Sequence, residues 1–329
     1  MLLFTDIGNN DIIFTITFGI ILPISEGGFN VTYLSVADTA KRWNISERSV
    51  RNYCAKGRIE GAFLTGKTWN IPDNAIKPER SKKSGPARND ILSRLRQEKQ
   101  MRLSGGIYHR IQIDLTYNSN HMEGSQLTHD QTRMIFETKT IGAEQLLRVD
   151  DVIETVNHFR CIDMIIDQAE KKLSERLIKQ LHRTLKSGTS DSRLDWFAVG
   201  DYKKLPNEVG GRETSSPENT AEDIKQLLKR YNSIEKVSFD DLLDFHFRFE
   251  LIHPFQDGNG RVGRLILFKE CLHYGFVPFI ITNELKWYYY RGLQHWKDTP
   301  GYLRDTCLTA QDQFKLILDY FKINYLSNF

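Results

Sequence analysis

His253-Pro254-Phe255-Gln256-Asp257-Gly258-Asn259-Gly260-Arg261-Val262-Gly263-Arg264 joins two stretches whose apolar residues recur three and four apart. Before it, Leu242, Phe245, Phe249 and Ile252 make one stripe over 239–252. After it, Leu265, Ile266, Phe268 and Leu272 make another over 259–273. This spacing predicts two helices. Pro254 cannot continue the first, so His253 stands at its end. Gly258 and Gly260 allow backbone N–H groups to approach a ligand, and the unbonded N–H groups that open the second helix point the same way, which makes an anion site. Arg261 and Arg264, three apart, suit bidentate contacts to phosphate. Asp257 offers a hard oxygen for Mg²⁺ bridging phosphates, and His253 is placed beside them as a general base. A lone histidine most often packs in a core. A histidine, an acid, a Gly-Asn-Gly turn and two arginines within twelve residues point instead to a phosphate site.

Outward from this segment, helical spacing recurs over 91–103, 107–118, 128–136, 143–167, 173–186, 220–233 and 306–325. The exception is 197–212, where Gly200, Pro206, Gly210 and Gly211 fit a hairpin or flap. Neither a G-x-x-x-x-G-K-S/T loop, a strand-preceded G-x-G-x-x-G nor an H-E-x-x-H pair occurs, so the common phosphate loops and the zinc-protease pair are excluded.

Toward the N-terminus the charge changes. Residues 41–100 hold 15 Lys+Arg against 6 Asp+Glu, a net +9 in a chain of net +3. Such a basic module favours polyanions. Ser35 is placed to cap a helix with Val36, Ala37, Ala40 and Trp43 on one face. After the turn Asn44-Ile45, Ser46 caps a second helix to about Lys56, with Val50, Tyr53 and Cys54 inward and Arg48, Arg51 and Asn52 outward. Residues 58–64 and 68–72, joined by Thr65-Gly66-Lys67, read as a two-stranded wing. In a helix–turn–helix the second helix enters the major groove and a wing cation such as Lys67 holds phosphate. A protein-docking use of the same fold is the alternative. Residues 73–90, with two prolines and a charge run, read as a solvated linker.

The 329 residues, 40% hydrophobic and 26% charged, exclude a fibrous or wholly disordered chain. Cys54, Cys161, Cys271 and Cys307 form no Cys-x-x-Cys pair, which argues against a disulfide framework or a cysteine zinc site and fits a cytoplasmic location. The apolar run 12–24 is interrupted by Gly19 and Pro23 and is shorter than the ~20 residues of a membrane helix, and no basic residue precedes it. Neither a membrane span nor a secretory signal is expected. Residues 1–30 read either as a buried arm or as an extension ahead of a true start at Val31.

Residues 253–264 match the motif H-P-F-x-D/E-G-N-G-R-x-x-R without departure, and over about 100–325 the chain resembles the Fic family. The resemblance implies a mainly α-helical domain, with a short β-hairpin flap, that transfers the AMP of ATP to a hydroxyl side chain of a target protein. It implies His253 as the base that deprotonates that hydroxyl and Asp257 as the Mg²⁺ ligand. Gly258, Asn259 and Gly260 would bind the α- and β-phosphates with Arg261 assisting, and Val262 and Gly263 complete the stretch up to Arg264, which would grip the γ-phosphate. Gly200-Asp201-Tyr202-Lys203 through Val209-Gly210-Gly211 resembles the target-docking flap, with Val209, Gly210 and Gly211 at its tip, to which an extended segment adds as a strand. Tyr289 and Tyr290 resemble the tyrosine pair of the adenine pocket. Ser119-Asn120-His121-Met122-Glu123-Gly124 is similar to the inhibitory motif S/T-x-x-x-E-G/N, with Ser119 and Glu123 as its marked positions. The 31–72 module resembles the winged helix–turn–helix of the MerR and excisionase-like family, implying duplex DNA as a partner, bound by a dimer on a two-fold site. The expected order is therefore an N-terminal extension (1–30), the DNA-binding module (31–72), a linker (73–90) and the catalytic domain (91–329). Three functions stay open: an autoinhibited AMP transferase, removal of AMP by the same site, and a DNA-binding regulator whose helical domain serves as sensor or toxin.

Overall fold

The computed structural model describes residues 32–78, 90–142 and 146–325. They form two compact units, one on either side of 79–89. Residues 1–31, and with them the expected start at Val31, lie outside the described residues, as does most of the expected linker.

The first unit runs β1 (Tyr33–Leu34), α1 (Val36–Trp43), α2 (Glu47–Ala55), β2 (Phe63–Thr65) and β3 (Thr68–Pro72). The Ser35 hydroxyl accepts from the Asp38 amide and that of Ser46 from the Ser49 amide, so each helix starts on a side-chain cap. Asn44, at φ 51°, makes the turn between them. Val36, Ala40, Trp43, Val50, Cys54, Ile59 and Ile71 form the core. The expected wing has a third strand: β1 pairs antiparallel with β3, Leu34 opposite Ile71, in the order β1-β3-β2. The strand expected over 58–64 is reduced to β2, because Gly57 and Gly61 take positive φ and turn the chain there. Part of the expected linker belongs to this unit. The Asp73 amide donates to Thr32 O at 2.8 Å and Lys77 Nζ to Trp43 O at 2.8 Å.

The second unit comprises α3 (Asp90–Met101), α4 (Ile107–Met122), α5 (His129–Thr138), α6 (Val149–Asp167), α7 (Glu175–Lys186), β4 (Glu208–Val209), β5 (Arg212–Glu213), α8 (Pro217–Asn232), α9 (Phe239–Ile252), α10 (Asn259–Tyr274), α11 (Lys286–Gln294) and α12 (Gly301–Tyr320). Capping boxes start α5 at Thr128 and α9 at Ser238, and Pro217 opens α8. The organising element is α10, buried on every side from Arg261 to Leu272 and packed against α4, α6, α7 and α9. A helix with no solvent face is a core helix. Its two arginines therefore reach partners on different neighbours.

Helix α11 is absent from the periodicity because Trp287-Tyr288-Tyr289-Tyr290 is apolar at every position, and only Tyr289 and Gly292 are buried. Gly292 is required there: a Cβ would lie 2.6 Å from Leu303 Cα, so its absence lets α12 cross closely. In the flap only 208–213 is hairpin. Gly210 and Gly211, both at positive φ, make the two-residue turn, and the preceding 197–207 runs as turns and loop. The four cysteines are buried and unpaired. Among the described residues no helix is long and apolar enough to cross a membrane.

Candidate active site

His253 closes α9 at φ 51°, its amide donating to Phe249 O at 2.9 Å. A non-glycine residue in the left-handed region costs free energy and persists only where its surroundings hold it. Three bonds hold the loop that follows. The Asn259 side chain accepts from the Phe255 amide and donates to Phe255 O, both at 2.8 Å, and Asn207 Nδ2 donates to the same carbonyl at 2.8 Å. Phe255 is fully buried and stacks on His182 with centroids 3.9 Å apart. His182 in turn accepts from the Gly200 amide at Nδ1, so its Nε2 carries the proton donated to Asp257 O at 3.1 Å. The Asn259 side chain is thus spent on the loop, and only its backbone could meet a phosphate.

The His253 ring has Nδ1 3.2 Å from Glu250 O. A carbonyl oxygen only accepts, so Nδ1 carries the proton in this bond and Nε2 is left as the acceptor. Burial pushes the His253 pKa below its ordinary value and Lys203 adds to that, against the bond to Glu250 O and the charges of Glu123 and Asp257. The result is an imidazole that is neutral at neutral pH.

Arg264 turns toward the end of α4. Its Nε donates to Ser119 Oγ at 3.1 Å, and one terminal nitrogen donates to Ser119 O at 2.9 Å and to Glu123 Oε1 at 2.6 Å. Glu123 caps the C-terminus of α4, where the helix dipole disfavours an anion, so Arg264 compensates both the dipole and the charge. Burial raises the Glu123 pKa, but Arg264 and then Arg261 outweigh it and the carboxyl ends below its ordinary range. Gly260 packs against this pair, and a Cβ there would run into Glu123 Oε1.

Arg261 turns the other way, to α6 and α7. Glu154 bridges Arg261 and Lys186, Lys186 Nζ lying 2.5 Å from Glu154 Oε1 and 2.7 Å from Asp257 Oδ2. Arg261 also donates to Asp257 Oδ2, at 3.1 Å. Burial pushes Asp257 up, and Arg261 and Lys186 more than reverse it, leaving the carboxylate ionised throughout the physiological range. Among the described residues no group of three or more His, Cys, Asp or Glu is arranged to hold a metal.

A cavity of about 450 Å³ gathers most of these groups. Of the residues singled out by sequence, His253, Gly260, Arg264, Tyr289, Tyr290, Glu123, Val209 and Gly210 line it. Asp257 and Arg261 form the neighbouring charged cluster. Val262 does not face the cavity, because its side chain is fully buried in the core, and Gly263 lies under Glu250, where a Cβ would meet the carboxylate. Tyr289 is fully buried and hydrogen-bonds His246 at 2.6 Å; Tyr290 reaches Met122 O at 3.5 Å. Gly211 completes the flap turn, and Arg212 of the flap donates to Gln294 O of α11 at 3.3 Å. In the first unit Arg48, Arg51, Asn52 and Lys67 are all exposed, with Arg51 paired to Glu47 at 3.3 Å.

Sequence reasoning missed Glu154 and Lys186, which come from other helices and carry no local signal. It also missed His246 and Glu250, although they stand seven and three residues before His253, a helical spacing that puts all three on one face of α9. Burial pushes the Glu250 carboxyl up to about 8 and the His246 imidazole down to about 3, so both are neutral near pH 7.

Residues 172–270 match the model of the Fic/DOC family. The chain carries a Fic/DOC domain. It is 28% identical over 192 residues to a protein adenylyltransferase Fic of Drosophila grimshawi, covering 54% of this chain and 36% of that protein. To protein adenylyltransferase fic-1 of Caenorhabditis elegans it is 28% identical over 182 residues, 54% of this chain and 35% of the relative. The chain thus spans about a third of the length of these curated relatives. Among solved structures it resembles a Fic domain containing signaling protein from Bacteroides thetaiotaomicron, with TM-score 0.52, 26% identity, and coverage of 70% of this chain and 90% of the other. A fragment of Fic-1 from Caenorhabditis elegans shares the fold at TM-score 0.56, with 20% identity and coverage of 71% and 72%. The Fic/DOC match takes in α7, the flap, α8, α9 and most of α10, and so contains the whole 253–264 segment.

Proposed function

We propose that the Fic/DOC domain transfers AMP from ATP to a hydroxyl side chain of a target protein, and that Glu123 holds this activity down. The observation that carries the reading is His253, with Nε2 free to accept, lining the same cavity as Gly260 and Arg264 at the start of a buried helix. The target hydroxyl gives its proton to His253 Nε2 as its oxygen attacks the α-phosphorus, and pyrophosphate leaves in line. An extended target segment adds to the hairpin edge at Val209, beside His253. Tyr289 and Tyr290 accommodate the adenine.

Asp257 fits a Mg²⁺ site that relies on one carboxylate plus substrate phosphates and water, since its side chain stays 46% exposed although Lys186 and Arg261 hold one oxygen. Bound there, Mg²⁺ would neutralise charge across the phosphates. Glu154, with Lys186 and Arg261 on its two oxygens, keeps Asp257 and Arg261 in register whether or not metal is present.

Arg264 is the residue to grip the γ-phosphate, and Glu123 already occupies it. The pair is one-armed, because Ser119 takes the neighbouring donors. ATP then binds with its γ-phosphate displaced and its α-phosphorus misaligned. The test is incubation of wild type, Glu123→Gly and Glu123→Gly/His253→Ala with ATP labelled at the α-phosphate in a host lysate, followed by mass spectrometry. The single variant is expected to label itself and a target, the double variant neither. Labelling that survives His253→Ala refutes the role of the base, for which a loss of roughly 10²–10⁴ is expected.

A second reading uses the same site in reverse. Glu123 faces the cavity shared with His253 and can position a water that releases AMP from a modified protein. Release of AMP from a pre-modified target by wild type, and its loss in Glu123→Gly, would favour this direction.

For the first unit we infer winged helix–turn–helix binding to duplex DNA, supported by the outward Arg48, Arg51 and Asn52 on α2 and by Lys67 in the β2–β3 turn. Binding is expected to weaken steeply with salt. If Arg48→Glu/Arg51→Glu leaves a gel shift intact, α2 is not the recognition helix.

A further inference from the structure

The flap arm carries a lysine to which the sequence assigned no role of its own. Lys203 is 3% exposed, and its Nζ donates to Asn207 Oδ1 at 2.7 Å, Thr214 Oγ1 at 2.7 Å and Ile252 O at 3.1 Å. Asn207 precedes β4, Thr214 follows β5 and Ile252 immediately precedes His253. An ammonium has three N–H bonds, and all three are used on neutral oxygens. Among the described residues Lys203 makes no ion pair; Asp223 of α8 is the acid that acts on it at longer range. The backbone repeats the connection, with the Lys203 amide donating to Pro254 O at 2.9 Å and the Leu205 amide to Gln256 Oε1 at 3.2 Å.

A buried charge without a counter-ion is costly, and a neutral Gln or Met could fill this volume at lower cost. Packing alone therefore does not account for a lysine here. Its place does: the one ammonium gathers both arms of the flap and the residue before the catalytic histidine. We propose that Lys203 is a positioning residue of the active site, its ammonium clipping both arms of the target-docking flap to the α9 terminus one residue before His253 and adding a positive charge there. Burial lowers the lysine to about 8, so it is charged at neutral pH. The groups that face His253 are Lys203 from the flap arm, Glu123 from the end of α4 and Asp257 from the loop; of these only Lys203 opposes the imidazolium. The catalytic consequence rests on the reading of His253 as base, whereas the effect on its titration does not.

The test is an NMR titration of the histidine Cε1–H signals in the full chain, with His253 assigned by its loss in His253→Ala. Lys203→Met is expected to raise the His253 pKa by about 0.5 unit or more, through removal of a like charge, and to speed amide exchange over 205–214. Lys203→Gln, which keeps one donor for Ile252 O, is the second variant and is expected to move the pKa the same way. Lys203→Arg is expected to restore it. In the transfer assay the acid limb of kcat/KM should move to higher pH in Lys203→Met, with KM for the target protein rising about tenfold and KM for ATP within twofold of wild type. An unchanged His253 pKa in a folded neutral variant overturns the proposal. A shifted pKa in a protein that transfers no AMP leaves it standing and removes the transferase reading instead.

Discussion

Arg261 and Arg264 lie three residues apart on one buried helix, yet they are held in opposite ways. Arg261 is locked into a four-membered network with Glu154, Lys186 and Asp257, contributed by α6, α7 and the loop before α10. Arg264 is held from a single element, the last turn of α4, through Ser119 and Glu123. In the first cluster each acid is shared by two cations, so removing any member leaves a buried charge exposed to the others. In the second, Glu123 can leave and Arg264 still keeps two Ser119 oxygens. One side of the helix entrance is thus held from three elements, and the other from one.

The comparison is most easily broken at Glu154. Glu154→Ala would leave Lys186 and Arg261 with one carboxylate between them, and a stability loss of about 3–5 kcal/mol is expected in urea unfolding, as for removing one partner of a buried pair. Transfer should vanish with it. A loss below about 1 kcal/mol would mean the network is only an arrangement of side chains at the surface of the loop. Glu123→Gly should act on rate more than on fold. Transfer is expected to rise on the order of 10²-fold at saturating Mg-ATP, since a displacement of about 1 Å can cost that much, with a smaller stability change than for Glu154→Ala. Equal rates in wild type and variant would remove the inhibitory role proposed for Glu123. Ser119→Ala sharpens the same point, removing one hydroxyl acceptor worth about 1 kcal/mol. A rise of a few-fold, well short of Glu123→Gly, is the outcome to look for in the labelling assay.

The smallest effect concerns pH. Glu123 ends below its ordinary carboxyl value of 4.5, because Arg264 and Arg261 outweigh its burial. An acid whose native pKa is depressed stabilises the fold above its unfolded pKa, and loses that contribution only as pH falls through the lower native value. The ratio of Glu123→Gly to wild-type rates should therefore stay flat from about pH 6 to about pH 9. The part of the stability that depends on Glu123 should disappear only below about pH 4.5. A ratio that falls several-fold between pH 6 and 7 would show that the clamp opens by protonation.

The segment 253–264 and the stripes flanking it were legible because local rules write them. Pro254 ends a helix, Gly258 takes positive φ to begin another, and apolar residues three and four apart choose the buried face. The caps at Ser35 and Ser46 are of the same kind, each a hydroxyl reaching an amide in the first turn of its helix. Helix α11 escaped because four consecutive aromatics erase the contrast on which periodicity depends. The third strand of the first unit escaped because Tyr33–Leu34 is too short to announce itself and forms only against β3.

By itself, then, the chain's order of residues determined the two helices around His253 and the phosphate-suited turn between them, and marked Glu123 by its motif, whereas the run of α4 on to Met122 came only with the structure. Which acid meets which arginine was decided only in three dimensions. Arg261 and Arg264 have the same side chain in the same helix, and the partner of each depends on which neighbour α10 turns toward at that residue: α6 and α7 for one, the end of α4 for the other. The same holds for Lys203, whose three acceptors lie four, eleven and forty-nine residues away in the chain. Ammonium and guanidinium groups have no periodicity of their own. They take the oxygens that packing leaves within reach, and packing is settled by the apolar faces of helices far apart in sequence.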